Sequence, residues 1–415
     1  MRRPDPSQDM STNRRWAMLV SSLVAAMTTT CATSGVAYVI PELHRQGMSL
    51  SDASVLAAIP TIGLTLTIIA WGAALDRFGE RRVLLVSLLV TAAGTVAALV
   101  AAAVGGGVVA LAVPLLIGGL GSGAANGASG RIVVGWFPAN QRGTAMGVRQ
   151  MAQPLGIGVC ALTMPVFAHT WGLTAAFAVP VVVTLVGLIA VAVAIVDPPL
   201  RAAADSAPVA NPYRGASFLQ RVHAVSVLLV IPQSMLWTFV PAWLIVGHRW
   251  SPLAAGVLVT LTQVIGAIGR IVAGRASDVV GSRMKPIRVI AVAAGVSAAV
   301  LSLTDWIGSP IAVVVMVVAT VSAVADNGLA FTAIAEFAGP SWSGRSLGVQ
   351  NTAQYVATAA GTAVFGRLID ATGYPAAFGI AAIAPLIAIG LVPKDPPLHE
   401  SQVDAVESGS RHPGE

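Results

Sequence analysis

Long apolar runs separated by short polar loops make up most of this chain. Twelve stretches reach the roughly 20 mostly apolar residues that a helix needs to cross a bilayer. They are 16–40, 53–75, 83–104, 110–134, 144–167, 174–196, 222–246, 253–276, 287–303, 311–337, 347–369 and 376–392. Ala, Val and Gly fill them without the in-out alternation of barrel strands, so the pattern predicts helices. The first run is too long for the apolar part of a signal peptide, and eleven more follow it. The expected fold class is an all-α membrane protein with two pseudo-symmetric six-helix bundles, 16–196 and 221–393. A cytoplasmic tail, 1–15, precedes them, and a Pro-containing linker, 197–220, joins them. The polar tail 394–415 is read as disordered.

Composition sharpens this picture. Only 10% of the 415 residues are charged against 55% hydrophobic, where a soluble domain carries about 25% charged residues. Most of the surface therefore faces lipid. The net charge of +6 is explained by topology. With the N-terminus inside, 18 of the 24 Lys and Arg residues are cytoplasmic, Arg131, Arg149 and Arg270 lie within spans, and Arg45, Arg249 and Arg367 are outside. A multi-pass protein of the plasma membrane with both termini cytoplasmic is expected, with the lipid bilayer as partner and no nucleic acid. Cys31 and Cys160 sit in apolar runs and the six histidines have no ligand spacing, so no metal site is expected.

The two halves repeat one motif. Gly72, Asp76, Gly79 and Arg81 recur as Gly274, Asp278, Gly281 and Arg283, offset by 202 residues. Asn126, Gly147, Gln153 and Phe177 recur as Asn327, Gly348, Gln354 and Phe378, offset by 201. Twelve spans, a central loop, and Gly72, Asp76, Arg77, Gly79, Arg81 and Arg82 between spans two and three resemble the major facilitator superfamily over nearly the whole chain. The resemblance implies a conformational latch. Asp76 would face the N-terminus of span eleven near Ser343, and Asp278 that of span five near Gln141, each favoured by the positive helix end. Gly72 is read as a close-approach position. The alternative is that the basic residues only anchor the loop at the interface.

No phosphate loop, paired carboxylates or nucleophile elbow is present, so neither an ATPase nor another enzyme is expected. The glycine run Gly118, Gly119, Gly121 and Gly123 lies inside a span and is read as helix packing. What remains is secondary active transport of a small solute, without a cofactor, driven by an ion gradient with protons the expected ion. A monomer is expected. Asp326 is the one acid near mid-span; Glu336 lies nearer the cytoplasmic end of the same span. Loss of hydration disfavours a lone carboxylate's charged form, which makes Asp326 a proton-site candidate. A permanent ion pair with Arg149, Arg131 or Arg270 is the alternative. Arg149 and Gln153 share a helix face. If that face lines a cavity, Arg149 favours an organic anion. Arg131 and Arg270 are read as interfacial or latch residues. Further pathway candidates are Gln350, Gln354 and Tyr355 with Asn351, and, from the resemblance, Thr28, Asn126, Gln233, Trp237, Gln263 and Asn327. Helix-to-helix hydrogen bonding is the competing role for each. Gln153, Pro154, Gly156 and Gly158 are similar to the span-five motif of drug exporters but depart from it, so a drug/proton antiporter is the alternative function. A transport-dead membrane sensor is the remote one.

Overall fold

The computed structural model describes residues 11–137, 141, 145, 148–197, 211–214 and 217–395. Among them, eleven helical stretches are long and apolar enough to cross a membrane, and no strand occurs. In order these are α1 (Thr12–Arg45), α2 (Leu50–Phe78), α3 (Glu80–Ala103), α4 (Val108–Val133), α5 (Val148–Trp171), α6 (Leu173–Ala194), α7 (Phe218–Gly247), α8 (Pro252–Val280), α9 (Met284–Trp306) and α10 (Ala312–Gly339). The last stretch, Trp342–Leu391, is broken at Gly373, whose φ of 80° ends one helix and starts another. It therefore comprises α11 (342–372) and α12 (374–391), and twelve spans result. Apolar side chains such as Leu66, Ile69, Val193 and Ile271 point outward, as a lipid-facing surface requires. The chain is a multi-pass membrane protein. Most of the 197–220 linker and of both tails lies outside the described residues.

The repeat is visible in the helix starts. Ser49 caps α2 by accepting from the Asp52 amide at 3.0 Å, and Ser251 caps α8 by accepting from Ala254 at 3.2 Å. Asp197, at the end of the first half, accepts from the Arg81 amide at 2.6 Å and caps α3. Asp395 does the same at the start of α9 through the Arg283 and Met284 amides, at 3.0 and 3.1 Å. The glycine run packs as expected. A Cβ at Gly119 would lie 2.1 Å from the Pro60 carbonyl of α2, and one at Gly121 2.5 Å from the Thr91 amide of α3.

α1–α6 and α7–α12 each pack as a bundle, and the bundles meet along two seams, α2 with α11 and α5 with α8. Both seams are tight at the end where α2 begins. A Cβ at Gly366 would fall 1.8 Å from the Ser54 hydroxyl, and one at Gly256 2.2 Å from the Ala161 carbonyl. Across the first seam, Asp370 of α11 accepts from the amides of Leu50 and Ser51 at 3.1 and 2.5 Å, so one half caps a helix of the other. At the other end, which carries Asp76, a Cβ at Gly72, Gly274, Gly344 or Gly348 would meet nothing within 4 Å. The halves are joined at the Asp370 end and parted at the Asp76 end. This corrects the close-approach reading of Gly72: with the halves apart, it has no neighbour to approach.

Candidate functional site

Two helices break at mid-depth, at equivalent places. α4 is interrupted at Ser122 and Gly123, and α10 at Ala325 and Asp326. A break frees carbonyls that hydrocarbon cannot satisfy, so neighbouring side chains must donate to them. In α4 the donors are neutral. Thr67 Oγ1 and Trp71 Nε1 each reach the Leu120 carbonyl at 2.8 Å, Ser87 reaches Gly121 at 2.5 Å, and Thr29 reaches Ser122 at 3.0 Å. In α10 the donor is a cation, Arg270, whose Nε lies 3.1 Å from the Val324 carbonyl. Asp326 stands at that break with 2% of its surface exposed. It forms no salt bridge among the described residues, although Arg270 acts on it electrostatically.

Neither Arg131 nor Arg149 is its partner. Arg131 pairs with Asp76 and, at 2.6 Å, with the buried Glu80. Arg149 donates to the Asn126 carbonyl at 2.6 Å and the Ser129 hydroxyl at 2.8 Å, stapling α5 to α4. Those contacts give Arg149 a structural role in this conformation.

A chain of side-chain hydrogen bonds runs through the second half, and a bond beside it crosses to the first. Gln354 donates to Asn327 at 3.2 Å, and Asn327 to Gln233 at 3.1 Å, all within the second half. The next residue, Tyr355, accepts from Asn126 of the first half at 3.0 Å. The repeated pair is used differently: Asn126 donates to the other half and Asn327 to its own. Gln350 turns elsewhere, bonding His223 of α7 at 2.6 Å, and Asn351 bonds back to its own helix at 3.0 Å. Thr28 is fully buried and bonds the Val183 carbonyl of α6 at 3.2 Å, so it packs helices and lines no pathway. Gln153 is half-buried on α5.

Trp237, one turn beyond Gln233 on α7, lines a pocket with Gln263 of α8, Thr320 of α10 and Tyr38 of α1. Tyr38 was not among the sequence candidates. It lies on the 3-10 segment Gly35–Val39 that interrupts α1, and the readable signal was a tyrosine inside an otherwise aliphatic run.

The latch residues hold a different arrangement from the one the motif implies. Asp76 pairs with Arg131 of its own half, and Asp278 with Arg283, 2.5 Å away, which also reaches Glu336 at 3.0 Å. The capping partner expected for Asp76 at α11 is not the one found, because that end is open. The helix start expected after Gln141, where Asp278 would face, and Gly147 lie outside the described residues. Gly79 and Gly281 take positive φ, 82° and 62°, where the chain turns into the next helix. Arg81 bonds the Ala192 carbonyl at 2.8 Å.

Comparison with known proteins is consistent with this geometry. The family model of the Major Facilitator Superfamily matches residues 18–362. An uncharacterized MFS-type transporter of Mycobacterium tuberculosis (strain ATCC 25618 / H37Rv) is 47% identical over 382 residues, 91% of this chain and 85% of that protein. The solved D-xylose-proton symporter superposes with a TM-score of 0.73 at 16% identity, covering 92% of this chain and 98% of that one. A bacterial homologue of the human lysosomal transporter Spinster, inward-facing and occupied, gives 0.75 at 14%, covering 92% and 97%. The chain belongs to the major facilitator superfamily, a family of transporters.

Proposed function

We propose that the protein carries a small solute across the plasma membrane by alternating access, coupled to protons at Asp326. The observation that carries this reading is the seam that closes at one end only, with polar side chains of both halves meeting at its centre. Such an arrangement lets the two bundles rock about a fixed site, and the repeat supplies two similar ends to open in turn. Asp326 supports coupling because it is buried at a helix break without a salt bridge. The proton coupling of the similar xylose symporter points the same way. Arg77, Arg81, Arg82, Arg275, Arg283, Lys285 and Arg345 all lie toward the Asp76 end. The excess of basic residues supports placing that end, and both termini, in the cytoplasm. On that orientation the conformation is open inward. In this conformation Arg149 is held to α4 by the Asn126 carbonyl and the Ser129 hydroxyl.

Proteoliposomes loaded with a pH-sensitive dye and challenged with a panel of small solutes test the reading. At least one solute should move protons, and the sign of the gradient that accumulates it separates import from antiport export. Asp326→Asn should abolish the proton movement while solute exchange persists. Proton movement that survives the substitution rejects Asp326 as the coupling site, and a panel without any flux rejects transport.

A further inference from the structure

The halves are also fastened where they begin to part. Asn126 of α4 donates through its amide to the Tyr355 hydroxyl of α11 at 3.0 Å. The other cross-half bonds among the described residues lie toward the joined end. There Asp370 holds the amides of Leu50 and Ser51, and Thr260 reaches the Gly158 carbonyl at 3.4 Å. Tyr355 precedes Gly366, the tight point of the α2–α11 seam, by about 16 Å of helix. A phenol gives or accepts a hydrogen bond, so this one forms with either orientation of the Asn126 amide. The Asn126 backbone is itself fixed, its carbonyl accepting from Arg149 at 2.6 Å and Ser129 at 3.1 Å. The repeat offers no second copy of the bond. At the offset of 201, Asn126 matches Asn327 but Tyr355 matches Pro154, whose side chain has no hydrogen-bonding atom. Asn327 turns instead to Gln233 of its own half.

The position of the bond ties it to one state. α2 and α4 move as one body, because their backbones touch. A Cβ at Gly63 would fall 2.5 Å from the Leu116 carbonyl, and one at Gly119 2.1 Å from the Pro60 carbonyl. For the Asp370 end to open, α11 must leave α2, and it must then also shift against Asn126 on α4. An N–H···O bond is made at about 2.7–3.2 Å and is absent at about 3.6 Å, so a shift of roughly 1 Å breaks it. We infer that Asn126 and Tyr355 form a bolt that holds the state in which the Asp370 end is closed. They are positioning residues for the conformational step. The bolt rests on the alternating-access reading for its biological meaning, but which end is open can be measured without a solute.

Ser54 is fully buried where α2 meets α11, so a thiol placed there is reached from the Asp370 side only when that end opens. The full-length protein carrying Ser54→Cys is labelled from that side with an impermeant maleimide, and the labelled peptides are read by mass spectrometry. Tyr355→Phe, which removes one oxygen, and Asn126→Ala should each quicken labelling roughly two- to tenfold, the worth of one neutral hydrogen bond. The double variant should be no faster than either alone, because the bond can be lost only once. Cys31 and Cys160, buried within the first half, report general loosening and should stay unlabelled throughout. Should Asn126→Ala alone expose them, Asn126→Ser takes its place in the cycle. The bolt is overturned if Tyr355→Phe leaves the Ser54→Cys rate unchanged, or if the two effects multiply in the double variant. It is overturned equally if Cys31 and Cys160 quicken in parallel with Ser54→Cys. Solute-driven proton flux with an indifferent labelling rate would refute the bolt and leave the transporter reading standing. Responsive labelling without any flux would do the reverse.

Discussion

The two ends of the molecule hold their helices by different means. At the Asp370 end, glycines bring backbones of opposite halves into contact, and a carboxylate of one half caps a helix of the other. At the Asp76 end, the charges are satisfied within each half. Asp76 and Glu80 share Arg131 in the first, and Asp278 and Glu336 share Arg283 in the second. The polarity is exchanged between halves, with the arginine on α4 in one and on the loop after α8 in the other. An end that must open cannot depend on cross-half pairs for the integrity of each bundle. Local charge clusters let it part without leaving buried charges unpaired.

The largest effect should come from breaking the buried member of these clusters. Glu80 is 3% exposed at its side chain and pairs with Arg131, whereas Asp278 and Glu336 are 67% and 54% exposed. Removing a partner from a buried charge costs about 3 kcal/mol or more, but exposed pairs contribute about 0–1 kcal/mol. Arg131→Ala should therefore destabilise the protein by about 3 kcal/mol and Arg283→Ala by at most about 1 kcal/mol. Denaturant titration in mixed micelles measures both. Equal losses would mean that the two halves are held alike at this end.

Next in size is a contrast between glycines. Gly366→Ala places a methyl against Ser54 and the Leu50 carbonyl, an overpacking cost of about 1–3 kcal/mol that falls on the joined end. Gly72→Ala adds a methyl to open space and, inside a helix, should be neutral or stabilising by up to about 1 kcal/mol. Gly366→Ala should slow turnover to under about a tenth and Gly72→Ala should leave stability intact. If Gly72→Ala nevertheless blocks turnover, Gly72 is needed when the Asp76 end closes.

Much of this was legible in advance. The twelve spans and the repeat follow from apolar run length and internal register, Gln354 and Tyr355 from the polar positions of span eleven, and Asn126, Asn327 and Gln233 only from the family resemblance. The unread parts are instructive. Asp197 and Asp395 cap equivalent helices, and each begins an Asp-Pro-Pro-Leu run that recurs at an offset of 198. That repeat was visible, but it lies at the ends of the halves, where a search for intramembrane charge does not look. Asp370 could not be read at all, because its partners are some 320 residues away along the chain. Gly72 failed for another reason. One sequence serves both conformations, and its pattern does not say which contacts are made in which state.

The smallest expected effects on stability, and the most direct test of the comparison, come from one carboxylate at each end. Asp370→Asn keeps the shape of the cap but removes the charge from two hydrogen bonds to amides, and charge-assisted bonds are about twice as strong as neutral ones. A loss of about 1–2 kcal/mol shifts the balance between end-open states by roughly 5- to 30-fold. Ser54, fully buried in this seam, reports the shift. Thiol labelling of Ser54→Cys from the Asp370 side should quicken when Asp370→Asn is added. Asp76 is 74% exposed at its side chain, and its pair with Arg131 should contribute at most about 1 kcal/mol here. The latch reading gives it a second role in the other state, where the Asp76 end is closed and α11 begins beside it. Asp76→Asn would then disfavour that state, so labelling of Ser54→Cys should slow, and turnover should fall while expression and melting temperature stay near normal. The two substitutions act with opposite sign, and the double variant should lie between them. Unchanged labelling together with normal turnover in Asp76→Asn would remove the latch and leave Asp76 as a surface partner of Arg131.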